Sequence, residues 1–324
     1  MKTLKNPDQQ YIQQLEKIRF QPIFILGLHR SGTSILYKML TATGNLNPVT
    51  AYHLISYDQL LSNHLHKQEK TAKDKLTNFF KEQGQADRGI DRLALTADFA
   101  EEYGFLLGKK TFQLYLTPKN LSIFIEMAKK IQFISENEKP LLLKNPHDFS
   151  NFIYIKQMFP NAKFIFIHRH PFKTLSSLIK ALRLLLKSKN PYTNQLLPLY
   201  EKVHENPLLL KLLQLIFSKY SPFGIMLLTL NSVKSVNFYL KNIRHLSKDD
   251  YISLTYENLC KKPQENMETI LTFLNLPLTT RIDFATFIRP RKTQVDLSVM
   301  QMQRFVFKCM RAYFNKFGYS LHNY

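Results

Sequence analysis

The sequence predicts an α/β fold of three layers, α/β/α, built around a central parallel sheet. Two observations predict it. An apolar run passes through Gly27 into a loop rich in Gly, Ser and Thr, and then into an apolar stretch with helical periodicity (residues 24–36, FILGLHRSGTSIL). A strand, a tight turn and a helix N-terminus in that order aim unpaired backbone N–H groups at one point, which suits an anionic oxygen cluster. Further apolar runs of strand length alternate with helical segments, and those at 141–143 and 163–168 run directly into a basic residue. Parallel strands joined by crossover helices behave so, with their functional groups gathered beyond the carboxyl ends. With 324 residues, 44% of them hydrophobic and 21% charged, the chain can bury a full core as a single domain, 1–324.

The elements follow in order. Residues 1–19 read as a short amphipathic helix, with Tyr11, Ile12, Leu15 and Ile18 at helical spacing and packed on the core. A strand at 22–26 enters the loop, and the helix that leaves it runs over 33–43 to a stop at Gly44 and Asn45. Residues 46–120 are mixed: 66–92 is polar, rich in Lys and Gln and expected to be exposed, whereas 99–116 is apolar again. A helix at 119–134 precedes a second strand, 141–143, which ends in Lys144-Asn145-Pro146-His147. After a helix at 149–158, a third strand at 163–168 (KFIFIH) delivers Arg169-His170-Pro171. Residues 172–247 read as mostly helical, with breaks at Pro191, Pro198, Pro207 and Pro222. That is too long for a crossover, so it is expected to be a helical insertion or cap. A fourth strand at 251–256 (YISLTY) and a helix at 263–274 complete the pattern. The last segment, 286–324, is basic, with Arg289, Arg291, Lys292, Arg304, Lys308, Arg311 and Lys316 against Asp296.

The formal net charge is +21, which favours polyanions or anionic surfaces at long range. Nothing resembles a helix-turn-helix, a zinc finger or an RNA-binding aromatic signature, so charge is the sole support for a nucleic-acid partner. Cys260 and Cys309 are the only cysteines, too few for a disulfide framework, and a reducing compartment is expected. The N-terminus is polar, and Lys211, Gln214 and Lys219 interrupt the most lipophilic stretch, 207–230. A cytoplasmic protein, soluble or peripheral to a membrane, is the expectation.

The loop decides among phosphate chemistries. Gly27 and Gly32 are spaced as in G-x-x-x-x-G-K-[ST], but Thr33 stands where that motif requires Lys. In nucleoside triphosphatases that Lys reaches the β- and γ-phosphates, so its loss argues against the alternative of a P-loop kinase or phosphotransferase. The fixed cation is instead Arg30. A loop led by a basic residue and followed by S-G-T-S resembles the 5′-phosphosulfate loop of sulfotransferases that use 3′-phosphoadenosine 5′-phosphosulfate. The resemblance runs in order from Phe24 to Pro277.

It implies in-line transfer of a sulfuryl group to a hydroxyl or amine, without a metal. Leu28, His29, Arg30, Ser31, Gly32, Thr33 and Ser34 would cradle the 5′-phosphosulfate. Arg169, at a strand end, and Ser177, eight residues on in the next helix, resemble the family's clamp for the 3′-phosphate, an arrangement whose planar fork of donors suits that anion. His170 departs from the acidic residue or Asn that often follows this Arg. Tyr256, in a segment similar to the family's late signature, would lie near the nucleotide. Lys144 would stabilise the leaving group. For the general base, the position matching the family's Glu is His53, twenty-three residues past Arg30, apt because an ordinary imidazole titrates at about 6.5. Glu101, Glu102 and His147 compete for that role. The acceptor side stays open: the Leu-rich insertion suits a lipid-like alcohol and peripheral membrane contact, and the positive charge suits a glycan or peptide.

Overall fold

A computed structural model describes residues 6–83, 95–278, 282–288 and 294–321. The last part of the polar stretch at 66–92, together with Arg289, Arg291 and Lys292, lies outside the described residues. The strand ahead of the glycine-rich loop is the middle of the sheet. β1 (Pro22–Leu26) is buried at every position, as a strand covered on both faces must be. Four others run parallel to it: β2 (Asn47–Pro48), β3 (Leu141–Lys144), β4 (Lys163–His168) and β5 (Tyr251–Thr255). Their order is β2-β3-β1-β4-β5, with Phe24 opposite Leu143 on one side and Phe164 on the other.

Alternation along the strands divides the core into the expected layers. Phe24, Leu26, Leu141, Leu143, Phe164 and Phe166 face a cluster that includes residues of the helices Leu121–Ile134, Pro171–Lys187, Pro222–Asn242 and Gln303–Phe317. Ile23, Ile25, Leu142, Ile165 and Ile167 face a second cluster with residues of the helices Thr33–Ala42 and Pro263–Phe273. The proline breaks read in 172–247 are helix beginnings. Pro171–Lys187, Pro191–Leu196, Pro198–Glu205, Pro207–Ile216 and Pro222–Asn242 each open on proline, where the missing N–H costs nothing.

The structure departs from the sequence reading in three places. The N-terminal helix is a 3-10 helix over Pro7–Leu15, seating Leu15 against Tyr52, Leu60 and Leu61. β2 has two residues, too few to show a period. Tyr256 is not the end of a strand but the first residue of the helix Tyr256–Lys261. The basic C-terminal segment is an integral part of the core: Val306, Met310, Tyr313 and Phe314 are buried, and the Tyr313 hydroxyl lies 3.0 Å from His168 Nδ1. No helix among the described residues is long and apolar enough to cross a membrane.

One buried carboxylate joins the segment at 101–116 to the turn after β3. Asp148 accepts from the Tyr103 hydroxyl (2.6 Å), Leu116 N (3.0 Å), Asn145 Nδ2 (2.7 Å) and Asn151 Nδ2 (2.7 Å). Burial pushes its carboxyl above the usual range, and the donors oppose that shift. Since each orphaned buried donor costs about 1–3 kcal/mol, Asp148→Ala should destabilise the fold by at least about 3 kcal/mol. A urea-unfolding midpoint close to that of the parent chain would contradict this account of the hub.

Candidate active site

The loop at 27–32 leaves β1 beyond the carboxyl edge of the sheet. A Cβ at Gly27 would fall 2.4 Å from the Ile167 carbonyl oxygen and 2.6 Å from Ser31 Oγ, so no larger residue fits the close approach of β4. Arg30 and Gly32 both have positive φ, 70° and 106°. For Arg30 this is a strained conformation, of a kind that persists only where surrounding contacts hold it. Those contacts are present. Arg30 Nε donates to Ser177 Oγ (3.0 Å), and Arg169 Nη1 donates to the Arg30 carbonyl (3.0 Å). The Arg169 guanidinium also lies over the Tyr256 ring, 4.3 Å from its centroid, and that ring packs on Gly32, where a Cβ would meet Tyr256 Cδ2 at 2.3 Å. Loop, Arg169 and Tyr256 thus close a ring. Within it, Ser31 Oγ and Arg169 Nε are buried without a hydrogen-bond partner among the described residues. Buried donors left unmatched are costly, and these two lie on the loop and at the strand end that faces it.

A second cluster meets the loop from the β3 side. Lys144 is almost fully buried, and its Nζ donates to Ser34 Oγ (3.1 Å) and lies 3.4 Å from Glu102 Oε1. Glu102 sits beside His29 and His147, whose rings meet edge to face with centroids 4.4 Å apart. Burial, then the neighbouring His147, lowers His29 to about 3, and burial also lowers His147, so both imidazoles are neutral near pH 7. One ligating atom from each of His29, Glu102 and His147 lies within 4.8 Å of the others. That donor set is of a kind that holds a divalent cation, and the Lys144 ammonium lies beside its carboxylate.

A model of the sulfotransferase family matches residues 22–206, more than half of the chain. The chain belongs to the sulfotransferase family. Its fold is similar to that of sulfotransferase STF9 from Mycobacterium avium, at 15% identity and a TM-score of 0.66, over 97% of this chain and 82% of that one. It is also similar to sulfotransferase STF1 from Mycobacterium tuberculosis H37Rv, at 14% identity and a TM-score of 0.57, over 92% and 80%. No curated protein matches it in sequence.

In this sulfotransferase, Arg30, Ser31, Gly32, Ser34, Lys144, Arg169, Ser177 and Tyr256 come together, with His29 on the loop and Leu28 buried beneath it. Thr33, also buried, opens the helix Thr33–Ala42. Ser177 Oγ accepts from Arg30 Nε, and Arg169 anchors the loop carbonyl beside it. His170, the departure from the family pattern, caps its own helix through Nδ1 to Phe172 N. Its Nε2 lies 2.9 Å from the Ser320 carbonyl, and its backbone N–H donates to Glu257 Oε1.

His53 is not among the residues gathered at the loop. It sits apart from the loop, in a pocket of about 290 Å³ lined by Asn47, Lys73, Asp98 and Asn137. It closes a capping box in which His53 N donates to Thr50 Oγ1 and His53 Nδ1 accepts from Thr50 N (3.2 Å). A neutral imidazole has one lone pair, and here it accepts from the Thr50 backbone N–H. Glu101 is likewise occupied, its Oε2 accepting from the Tyr192 hydroxyl (2.5 Å) and its Oε1 from Glu102 N (2.9 Å). The sequence reading missed the His29–His147 contact and the Asp148 hub. The polar run 145–148 straight after a buried strand was the signal for both.

Two buried histidines, His53 and His168, and the half-buried His29 make folding sensitive to acid. Burial lowers His29, His53 and His168 each to about 3. Their contribution is complete above the ordinary value of about 6.5 and is lost as pH falls toward 3, because the unfolded chain takes up protons that the folded chain refuses. Three such groups give a slope approaching about 4 kcal/mol per pH unit near pH 5. Denaturant midpoints measured from about pH 7 to about pH 5 should fall steeply, and a flat profile would show that these rings are not held neutral.

Proposed function

We propose that this sulfotransferase takes 3′-phosphoadenosine 5′-phosphosulfate as donor and transfers its sulfuryl group to a hydroxyl or amine, the whole chain acting as one domain with the helices from Pro191–Leu196 to Pro222–Asn242 as a cap. The observation that carries the reading is the pair of buried, unpartnered donors, Ser31 Oγ and Arg169 Nε, inside a ring closed by Arg30 and Tyr256. Thr33 in place of the nucleotide-triphosphatase lysine supports a phosphosulfate over a γ-phosphoryl donor.

The roles follow from charge and reach. The loop N–H groups, Arg30 and Ser31 hold the phosphosulfate oxygens, and Arg169 with Ser177 takes the 3′-phosphate while Tyr256 borders the nucleotide. During transfer, a bond forms between the acceptor oxygen or nitrogen and sulfur as the bond from sulfur to the bridging phosphate oxygen breaks. Negative charge grows on that phosphate oxygen, and Lys144, braced by Ser34, is the buried cation that stabilises it. The acceptor's proton goes to Glu102. Glu102 faces the reacting edge beside Lys144 and two neutral imidazoles, and it takes the place that the sequence reading assigned to His53. His29 and His147 orient the acceptor by hydrogen bonding.

Differential scanning fluorimetry with 3′-phosphoadenosine 5′-phosphate should raise the melting temperature, whereas ATP with Mg²⁺ should not; stabilisation by ATP alone would sink the donor assignment. Arg30→Ala and Arg169→Ala should abolish that shift. Glu102→Gln should keep it and lose about 10²–10⁴-fold in kcat, the usual worth of a positioned base. His53→Ala should retain turnover. If instead His53→Ala is inactive and Glu102→Gln is not, the base has been misassigned.

A further inference from the structure

The cap carries an apolar face that the catalytic reading does not use. On the helix Pro207–Ile216, Leu208, Leu212 and Leu215 are 81%, 53% and 68% exposed, at the i, i+4, i+7 spacing that places them on one stripe. On the neighbouring helix Pro222–Asn242, Phe223, Leu227 and Leu230 repeat that spacing at 62%, 49% and 43% exposure. The first helix is held from its opposite side. Gln214 Nε2 donates to the Leu186 carbonyl (2.8 Å), and Arg183 donates to the carbonyls of Phe217 (2.6 Å) and Ser218 (3.0 Å) just past its end. Leu210, Leu213 and Ile216 are half-buried on the inner side while Leu208, Leu212 and Leu215 face outward, so the helix is apolar on both faces rather than polar toward solvent.

Charge states what covers this face. From 206 to 248 the chain contains Lys211, Lys219, Lys234, Lys241, Arg244 and Lys248 and no Asp or Glu. Lys211, Lys219 and Lys234 are exposed on the same two helices and the turn between them. A second copy of the chain docked face to face would set these cations against each other. Exposed leucines do nothing for a nucleic acid. An apolar stripe flanked by lysines with long flexible stems suits the boundary of an anionic bilayer, where the leucines enter the acyl region and the ammonium groups reach the headgroups.

We propose that the helices Pro207–Ile216 and Pro222–Asn242 form a docking surface by which this protein lies on membranes containing anionic lipid. The surface is independent of the donor site. Neither helix spans the bilayer; both rest in its interface, about 5–10 Å deep, as interfacial helices do.

Sedimentation of the full chain with vesicles tests this. The protein should pellet with phosphatidylcholine–phosphatidylglycerol vesicles far more than with phosphatidylcholine alone, and added salt should weaken the association. The triple variant Leu208→Ser, Leu212→Ser, Leu215→Ser should lose about 100-fold in partition coefficient. Lys211→Gln, Lys219→Gln and Lys234→Gln should each lose about fivefold. Both sets should keep the parent's thermal shift with 3′-phosphoadenosine 5′-phosphate, which separates a failed membrane assignment from a failed donor assignment. Absence of binding to anionic vesicles by the parent chain overturns the proposal, as does undiminished binding by the leucine variant. Light scattering that finds a dimer in the parent and a monomer in the leucine variant would assign the face to a second copy instead.

Discussion

The parallel pairing of β1 with β3 on one side and β4 on the other is the constraint on which the site depends. Parallel register puts the carboxyl ends of all five strands at one edge. The loop after β1, Lys144 at the end of β3, Arg169 after β4 and Tyr256 after β5 are therefore brought together although as many as 229 positions separate Gly27 from Tyr256. The close approach that forbids a side chain at Gly27 is to the Ile167 carbonyl of β4, so the shape of the loop and the position of Arg169 share one cause.

Electrostatically the edge has two halves. Around the loop, Arg30 and Arg169 are spread so that each also fixes backbone: Arg30 holds Ser177, and Arg169 holds the strained Arg30 carbonyl. Preorganisation of this kind removes the reorganisation that water would need as charge develops. On the β3 side, the buried Lys144 is set against Glu102, an ion pair whose desolvation is offset only by tight geometry and further hydrogen bonds. The Asp148 hub supplies rigidity there, because it links Tyr103, next to Glu102, to the turn that carries His147. The proposed cap stands outside both halves. Its polar bonds to the helix Pro171–Lys187 fix it to an element that begins two residues past Arg169.

Much of the fold was legible because strong local signals agreed. The strand at 22–26 and the helix at 119–134 returned within two residues of their expected bounds, since long apolar periods and terminal Pro or Gly act locally. The proline-led helices were legible as breaks for the same reason. β2 was not, because two residues at the sheet edge carry no period and exist only through pairing with β3. Tyr256 illustrates the same limit: its aromatic character continues the strand pattern, but the Thr255 side chain accepting from Asn258 N turns it into the first residue of a helix.

For the site, the sequence by itself supplied the residues of the proposed donor side. The Gly27–Gly32 spacing, the Arg in place of a later Lys, and a basic residue at each of two strand ends are local facts, and parallel topology alone gathers them. The proton acceptor proposed above rests on the tertiary structure alone. His53 matched by distance along the chain, yet its lone pair closes a capping box with Thr50, whereas Glu102, within a segment of mixed character, meets Lys144, forty-two positions later in the sequence. Spacing reports what a residue can do within its own turn of chain. Which carboxylate or imidazole reaches the carboxyl edge of the sheet depends on neighbours from other elements, and that is a property of packing.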